Sequence, residues 1–483
     1  MNIALTQETA TTPLCVDLDG TLVRTDLLHE AVFLLLRLNA FYLFFLPLWL
    51  LKGKAHLKAQ IAQRVTPDAE TLPYNSSVLE EIGNARSQGR PVVLATASPT
   101  GWANAVAKHL GVFDSVEASD GQTNLSARTK ANKLSGRFGK RGYDYIGNSK
   151  ADIAVWEDAR EALVVPGERA AGRYATASGA RTLQADLGYG DRLKAWLKAM
   201  RVHQWLKNTL LFVSAILGVR FFDVSTIWTL GIAFLSFSLC ASSVYLLNDL
   251  LDIPVDRKHA SKMHRPLAAG RLQVHHVALA SVCLLIAAFA LAATLPLKFM
   301  AVLALYYAVT CAYSFYLKRL LLIDVLTLAG LFTIRVLAGS AAIEGIVSTW
   351  LLAFCMFFFL SLALVKRFVE LERQSGQAGW KATGRGYQPC DLETLSQGGM
   401  AAGFAAVVVL ALFIDSPQVV ANYSHPQAIW LVCPLVLYIL MRIWILARRG
   451  EMHDDPVVFM MTDWRSQIMI AAGALIMFLS QIL

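Results

Sequence analysis

Charge is what this chain has least of. Charged residues fill 16% of its 483 positions, where a soluble protein carries roughly 25%. Hydrophobic residues fill 55% and the mean hydropathy is +0.47, which excludes a chain that is soluble throughout. The deficit is uneven. Residues 1–200 hold most of the acidic positions and mixed patterning, whereas residues 208–483 are a series of long apolar runs. A soluble head followed by a polytopic membrane body is the expectation, and the length alone calls for two or more units. Cysteine chemistry is also missing. Cys15, Cys240, Cys283, Cys311, Cys355, Cys390 and Cys433 form no Cys-x-x-Cys pair and stand in no His-rich cluster, so they read as small buried apolar residues. The first 14 residues lack a basic start and an apolar run, so no cleavable signal is expected. The net charge of +9 does not point to nucleic acid. The surplus lies in short loops between apolar runs, where orientation and phosphate binding account for it.

In the head, the short apolar stretches 14–18, 91–95, 144–147 and 162–165 read as buried strands separated by helical sequence. That alternation predicts a parallel sheet in an α/β domain. The domain is set at 1–185, with a helical cap at about 24–90. The Ala-, Gly- and Arg-rich stretch 170–195 reads as connecting chain, with the linker at 186–200 and the membrane domain at 201–483. Nine apolar segments follow Asn208, at about 208–221, 226–247, 274–296, 298–316, 321–342, 348–366, 399–415, 427–447 and 465–483. Alternate loops carry the cations: Arg257, Lys258, Lys262, Arg265 and Arg271; Lys318 and Arg319; Lys366, Arg367, Arg373, Lys381 and Arg385; Arg448 and Arg449. The opposite loops hold little beyond Arg220 and Lys298. The positive-inside rule then predicts a multi-pass protein of the inner, cytoplasmic membrane, with a cytoplasmic N-terminal domain and an external C-terminus. One further apolar stretch, Leu38–Leu51, is short for a span. A crossing there would separate Asp17 from Thr96, so it is read as an interfacial hairpin held by its aromatics and by Lys52, Lys54 and Lys58; a buried cap helix is the alternative.

The first strand ends in Asp17-Leu18-Asp19-Gly20-Thr21-Leu22. Two carboxylates two residues apart can divide labour at phosphorus: one attacks, the other protonates the leaving oxygen and then activates water. Gly20 permits the sharp turn that exposes both. This motif resembles that of the haloacid dehalogenase phosphatase superfamily. The resemblance covers about residues 12–185 and implies roles for further residues. Thr96, with Ser98 close by, would hold phosphoryl oxygens. Lys130, or Lys133 as runner-up, would neutralise their charge. Asp152 would bind Mg²⁺ with Asp17 and the Asp19 carbonyl. Asn148 stands where the superfamily has an acid, which removes one negative charge from the metal site and weakens Mg²⁺ affinity.

In the body, the second apolar segment ends in Asn248-Asp249-Leu250-Leu251-Asp252-Ile253-Pro254-Val255-Asp256. Acids at a membrane helix end are costly unless they act. Asp249 and Asp252 share a helix face; Asp256 follows, with Pro254 expected to distort the helix. Three carboxylates and an amide suit Mg²⁺ bridged to a diphosphate. Arg257, Lys258, His259, Lys262 and Arg265 come next, which makes sense if an anionic ligand lies between acids and cations. The run resembles the UbiA superfamily of intramembrane prenyltransferases over about residues 195–483. The region corresponding to that superfamily's second acidic motif reads Tyr313-Ser314-Phe315-Tyr316-Leu317-Lys318, then Asp324, without a second Asp-x-x-Asp pair.

Three further stretches resemble the branch that joins phosphoribosyl diphosphate to polyprenyl phosphate: Arg201–Asn208, Asp324 with Arg335 and Ala338-Gly339, and Lys366-Arg367 with Glu370 and Arg385-Gly386-Tyr387. The resemblance implies a Mg²⁺-dependent transferase with polyprenyl phosphate and phosphoribosyl diphosphate as partners in the bilayer and no nucleic acid. Asp249 and Asp252 would be catalytic, and Asp249, Asp252 and Asp256 metal-binding. Asn248, Arg257, Lys262, Arg265, Tyr313 and Asp324 would bind substrate, with Lys207, Lys318, Lys366, Arg367 and Arg385 as candidates for the lipid phosphate. The head would remove the 5-phosphate from the lipid-linked ribose. A prenyl diphosphate transferase acting on an aromatic acceptor is the first alternative, and a non-enzymatic transporter or lipid-binding protein the second.

Overall fold

The computed structural model describes residues 12–120, 124–183, 189–217, 223–345, 348–375, 386–452 and 455–482. They form two compact units. The first comprises Met1–Met200 together with Tyr245–Ala280, and the second Arg201–Val244 together with Ser281–Leu483.

The first unit is built on six strands: β1 (Leu14–Val16), β2 (Val92–Pro99), β3 (Ser115–Ser119), β4 (Asp144–Gly147), β5 (Ala162–Val164) and β6 (Arg181–Thr182). Their order is β3-β2-β1-β4-β5-β6, every pair parallel. The four expected strands are present; β3 and β6 are two more. Alternation along β1 explains why the sheet is covered on both faces. Leu14 and Val16 join one apolar cluster and Cys15 the other, the pattern of a parallel sheet sandwiched by helices. Between β1 and β2 lie α1 (Leu27–Leu38), α2 (Tyr42–Leu51), α3 (Lys54–Ala62) and α4 (Ser76–Ser87). Then come α5 (Thr100–Leu110), α6 (Ala127–Phe138), α7 (Arg169–Ser178) and α8 (Tyr189–Ala199). The stretch 170–195, expected as connecting chain, is therefore mostly α7, the edge strand β6 and α8. Val16 pairs with Leu94 on one side and Ile146 on the other. The chain leaving β1 thus emerges where the strand order reverses, which is where open α/β sheets place their ligands.

The helical part contains α9 (Val224–Lys258), α10 (Val274–Ala292), α11 (Leu297–Phe315), α12 (Ile323–Ala342), α13 (Thr349–Ser375), α14 (Leu392–Ile414), α15 (Val432–Arg448) and α16 (Trp464–Ile482). Among the described residues, the seven helices α9 to α15 are long and apolar enough to cross a membrane, and α16 counts over Trp464–Ser480 as a shorter apolar helix. The expected first segment, 208–221, departs from the nine-span count. It continues a 3₁₀ run, Val202–Phe212, into a short helix, Val213–Leu217, and residues 218–222 lie outside the described residues. The 3₁₀ run is pinned by polar contacts: Asn208 donates to Ser238 Oγ at 2.9 Å and accepts from Arg335 Nε at 2.9 Å. It also lies so close to α12 that a Cβ on Gly339 would stand 1.9 Å from the Leu211 carbonyl oxygen. Cys283 and Cys390 are exposed rather than buried. Cys283 belongs to α10, an apolar helix most of whose side chains face outward, where a thiol needs no protein core around it.

The first unit captures the end of α9 and the loop after it. The Arg257 guanidinium donates to both Glu30 oxygens, at 2.8 and 2.6 Å, and to the Ala268 carbonyl at 2.9 Å. Both side chains of this pair are nearly inaccessible, at 6% and 4% exposure. Gln273 donates to the Arg24 carbonyl at 3.0 Å, and Lys258 pairs with Asp68 at 2.8 Å. Removing one partner of a buried ion pair typically costs about 3–5 kcal/mol. Arg257→Ala should therefore lower the unfolding midpoint of the detergent-solubilised protein markedly, and Glu30→Leu combined with Arg257→Met should recover most of the loss. An unchanged midpoint for Arg257→Ala would show that the pair does not hold this loop.

Candidate functional site

At the end of β1 the two aspartates part company. Gly20, at φ +74°, turns the chain back, and a Cβ there would stand 2.2 Å from Asn148 Nδ2, so the position accepts only glycine. Asp17 is buried and meets Lys130 Nζ at 2.8 Å. Asp19 faces the cap: it accepts from the Leu27 backbone N–H at 2.8 Å, at the start of α1, and from Ser98 Oγ at 2.6 Å. Thr96, fully buried on β2, accepts from the Ser98 backbone N–H at 3.0 Å.

Lys130 projects from α6 into the centre of the site. Its ammonium also reaches Tyr145 Oη at 2.7 Å and Asp152 Oδ1 at 3.5 Å. Lys133, the runner-up, instead pairs with Glu117 at 2.7 Å on the surface. Asp152 is held by many donors: Tyr145 Oη at 2.8 Å, the backbone N–H groups of Asn148 and Ser149 at 3.1 and 3.0 Å, and Ser149 Oγ at 2.7 Å. Burial pushes its carboxyl up, but Lys130, Ser149 and Tyr145 outweigh burial and hold it below the usual range. Asp17 goes the other way, up to about 6, because burial there exceeds the pull of Lys130. Asp19 is pushed up to about 7 by burial and by the neighbouring Asp26 and Asp17. A carboxyl that keeps its proton near neutrality can act as general acid. Tyr145, Ser149 and Lys58 went unrecognised in the sequence. Lys58, expected as a membrane anchor, instead reaches from α3 to the Ala97 carbonyl at 2.6 Å, beside Thr96 and Ser98.

The acidic run of α9 lies in the same unit. The helix continues through Pro254, so Asp249, Asp252 and Asp256 follow one another along one face. Arg265 Nη1 stands 3.2 Å from Asp249 Oδ1 and 2.7 Å from Asp256 Oδ2, and both aspartates are nearly inaccessible. Asn248 and Asp252 are half-buried neighbours on the same helix, and Lys262 follows in a short 3₁₀ turn. Arg257, expected at substrate, is instead spent on Glu30. Among the described residues, no three His, Cys, Asp or Glu side chains stand close enough together to hold a metal ion. In both acidic clusters a basic side chain lies between the carboxylates.

The second unit gathers the other expected cations. Lys207 pairs with Asp455, and Lys366 approaches the same carboxylate at 4.0 Å. Arg367 meets Asp324 at 2.8 Å and also pairs with Glu370. Tyr387 Oη donates to Asp324 Oδ1 at 2.6 Å. The buried Nε of Arg367 finds no hydrogen-bond acceptor among the described residues. Tyr313 and Lys318 sit at the end of α11 and just beyond it, and Arg385 lies outside the described residues. Asp455 is the residue the sequence did not single out; only its pairing with lysines far away in the chain marks it.

A parallel α/β sheet joined to seven apolar helices fits a membrane transferase carrying a phosphohydrolase domain. The haloacid dehalogenase-like hydrolase family matches residues 14–157, and the UbiA prenyltransferase family matches residues 209–464. The chain belongs to the UbiA prenyltransferase family and carries a haloacid dehalogenase-like phosphatase domain at its N-terminal side; it is an enzyme. It is 38% identical to the uncharacterized protein y4nM of Sinorhizobium fredii over 96% of this chain and 89% of that one. It is 34% identical to the decaprenyl-phosphate phosphoribosyltransferase of Mycobacterium tuberculosis over 36% of this chain and 59% of that one. A UbiA homolog from Archaeoglobus fulgidus, solved bound to GPP and Mg²⁺, aligns with 59% of this chain and 99% of its own length, at 19% identity and a TM-score of 0.46.

Lys130 should matter to phosphatase turnover and Lys133 should not. Lys130→Met is expected to lower the rate with p-nitrophenyl phosphate by about 10²-fold, the usual scale for losing one charge-stabilising donor. Lys133→Ala should stay near the parent rate. Equal losses in the two variants would overturn the assignment.

Proposed function

We propose that this chain transfers the phosphoribosyl group of phosphoribosyl diphosphate to a polyprenyl phosphate and then removes the 5-phosphate from the lipid-linked ribose. One observation carries the reading: the phosphatase residues and the acidic end of α9 belong to the same compact unit. Phosphoribosyl transfer yields a product with a phosphate left to remove, whereas prenylation of an aromatic ring gives a phosphatase nothing to do. The likeness to a decaprenyl-phosphate phosphoribosyltransferase supports the same choice. The cation-rich loops favour the cytoplasmic face of the inner membrane for both steps.

Asn248, Asp249, Asp252 and Asp256 would hold Mg²⁺ together with the donor's diphosphate. In the head, Asp17, Asp152, Asn148 and the Asp19 carbonyl would hold it. The buried Oδ1 of Asn148 has no donor among the described residues, and an acceptor left in that state fits a hard cation. When bound, Mg²⁺ neutralises phosphate charge and eases departure of the leaving group.

In the transfer, a lipid phosphate oxygen attacks C1 of the ribose while the C1–O bond to diphosphate breaks and its electron pair leaves with the diphosphate. Lys262 would supply positive charge beside the acidic run in the first unit; Lys207, Lys318, Lys366, Arg367 and Arg385 stay candidates for the lipid phosphate by their charge. Arg265 aligns Asp249 and Asp256. In the head, an Asp17 oxygen attacks the phosphorus of the 5-phosphate, and Asp19 gives its proton to the departing ribose oxygen. Asp19 then takes a proton from water, whose oxygen attacks the aspartyl phosphate and frees inorganic phosphate. Lys130 and Thr96 hold the phosphoryl oxygens.

Purified protein given radiolabelled phosphoribosyl diphosphate and decaprenyl phosphate should form a lipid-linked product. Asp249→Asn should abolish it, and Asp17→Asn should accumulate the 5-phosphorylated lipid. Turnover of prenyl diphosphate with a hydroxybenzoate, and none with these substrates, would overturn the reading. Asn148→Asp should lower the Mg²⁺ concentration needed for half-maximal phosphatase activity. A requirement that stays the same or rises would remove Asn148 from the metal site.

A further inference from the structure

The α2–α3 hairpin of the phosphatase unit has two ends with different chemistry. At one end, α2 has no buried residue. Phe41 and Phe44 are each 70% exposed and Leu51 is 84% exposed, with Leu43, Phe45, Leu48 and Leu50 also open. Only Tyr42, Leu46 and Trp49 lean on the domain's core, and Arg64 caps the Trp49 ring at 4.9 Å. Water is a poor environment for such a surface, and a monomeric soluble domain rarely carries one.

The occupant can be chosen on charge, length and setting. From Glu30 to Asp68 the chain has no intervening acid, but it has Arg37, Lys52, Lys54, Lys58 and Arg64. Arg37, Lys52 and Lys54 are exposed around the ends of α2. An apolar helix with basic residues at its base matches an anionic bilayer surface. Ten residues of helix span about 15 Å, half of the roughly 30 Å hydrocarbon layer, so α2 is long enough to enter one leaflet and too short to cross. The same chain has seven helices suited to crossing a bilayer, so that surface is always at hand.

At the other end, α3 walls a cleft of about 280 Å³ formed by Ala55, Lys58, Pro99, Ser119, Asp120 and Asn124 among others. Lys58 Nζ lies 2.6 Å from the Ala97 carbonyl and 3.4 Å from Asn124 Oδ1. Ala97 stands between Thr96 and Ser98, the latter bonded to Asp19. A cation of the hairpin is thereby placed beside the catalytic strand end, on the same short helix that follows the apolar one.

We propose that α2 anchors the phosphatase unit in the leaflet it faces, and that the hairpin presents lipid-borne phosphate monoesters to Asp17 through the cleft walled by Lys58. The anchor stands on the hairpin alone; the delivery step rests on the phosphatase reading above.

The test uses the full chain in nanodiscs containing phosphatidylglycerol. With p-benzoylphenylalanine in place of Phe44, irradiation should give lipid adducts; adducts to a second copy of the chain, or none, would overturn the anchor. The variant Phe41→Ser/Phe44→Ser/Leu48→Ser should lose about tenfold or more in kcat/KM for decaprenyl-phosphoryl ribose 5-phosphate, the scale expected when local concentration at a surface is lost. Its kcat/KM for free ribose 5-phosphate should stay near the parent value. Parallel losses for both esters, or no loss for the lipid, would overturn delivery. If the parent chain hydrolyses neither ester, the phosphatase reading fails and delivery with it, while the photo-crosslink still decides the anchor.

Discussion

The Glu30–Arg257 pair is the constraint on which the first unit's arrangement depends. Two charges taken out of water are tolerable only when each meets the other with good geometry, and here both guanidinium nitrogens engage both carboxylate oxygens. Thr25 Oγ1 donates to Glu30 as well, and Arg257 adds the Ala268 carbonyl. The partners sit one turn from chemistry on either side. Glu30 follows Leu27, whose N–H binds Asp19; Arg257 follows Asp256, which Arg265 ties to Asp249. The phosphatase acid and the acidic end of α9 are thus linked by a few side chains with little slack. Gly270 closes the same loop: with φ +67° and a Cβ position 2.9 Å from Arg24 Cβ, it admits the backbone where a side chain would hold it off.

The sites share an electrostatic device. In the head, Lys130 lies between Asp17 and Asp152. On α9, Arg265 lies between Asp249 and Asp256. In the second unit the signs are exchanged, with Asp455 between Lys207 and Lys366. A buried carboxylate without a counter-charge would take up a proton instead. A resident cation offsets part of the cost of burying the acids and aligns them for phosphate chemistry, so little reorganisation remains when an anionic substrate arrives. The difference between Asp17 and Asp19 follows from the same source. Asp17 has a lysine; Asp19 has a serine hydroxyl and a backbone N–H, and it retains its proton to higher pH.

Much of this was legible because the chemistry is local in sequence. Asp17-Leu18-Asp19-Gly20-Thr21 specifies strand, turn and both carboxylates within a few residues, and the acidic run of α9 does the same for a helix face. Lys130 over Lys133 was a choice between neighbours on one helix, and burial decides it. What escaped notice depends on partners far apart. Arg257 looked like a phosphate ligand because it sits in a basic loop, and its partner is in the cap. Asp455 looks like any loop acid until Lys207 and Lys366 converge on it. Lys58 fitted an interfacial pattern by spacing alone, but α3 turns it toward β2. The 3₁₀ run at Val202–Phe212 was hidden for a related reason: its apolar composition resembles a span, and its anchors, Ser238, Arg335 and Gly339, come from helices elsewhere in the chain.

The length of α9 reconciles an acidic motif with a membrane helix. At about 1.5 Å per residue, about 20 residues suffice for the hydrocarbon layer. The helix has 35 residues. Counted from Val224, the membrane requirement is met near Val244, the last residue of the second unit's first segment; Tyr245 begins the part that belongs with the α/β unit. Asn248, Asp249, Asp252 and Asp256 all fall in the surplus. The carboxylates of Asp249, Asp252 and Asp256 therefore need not meet the cost of charge in lipid, and the helix continues past Pro254 to Lys258.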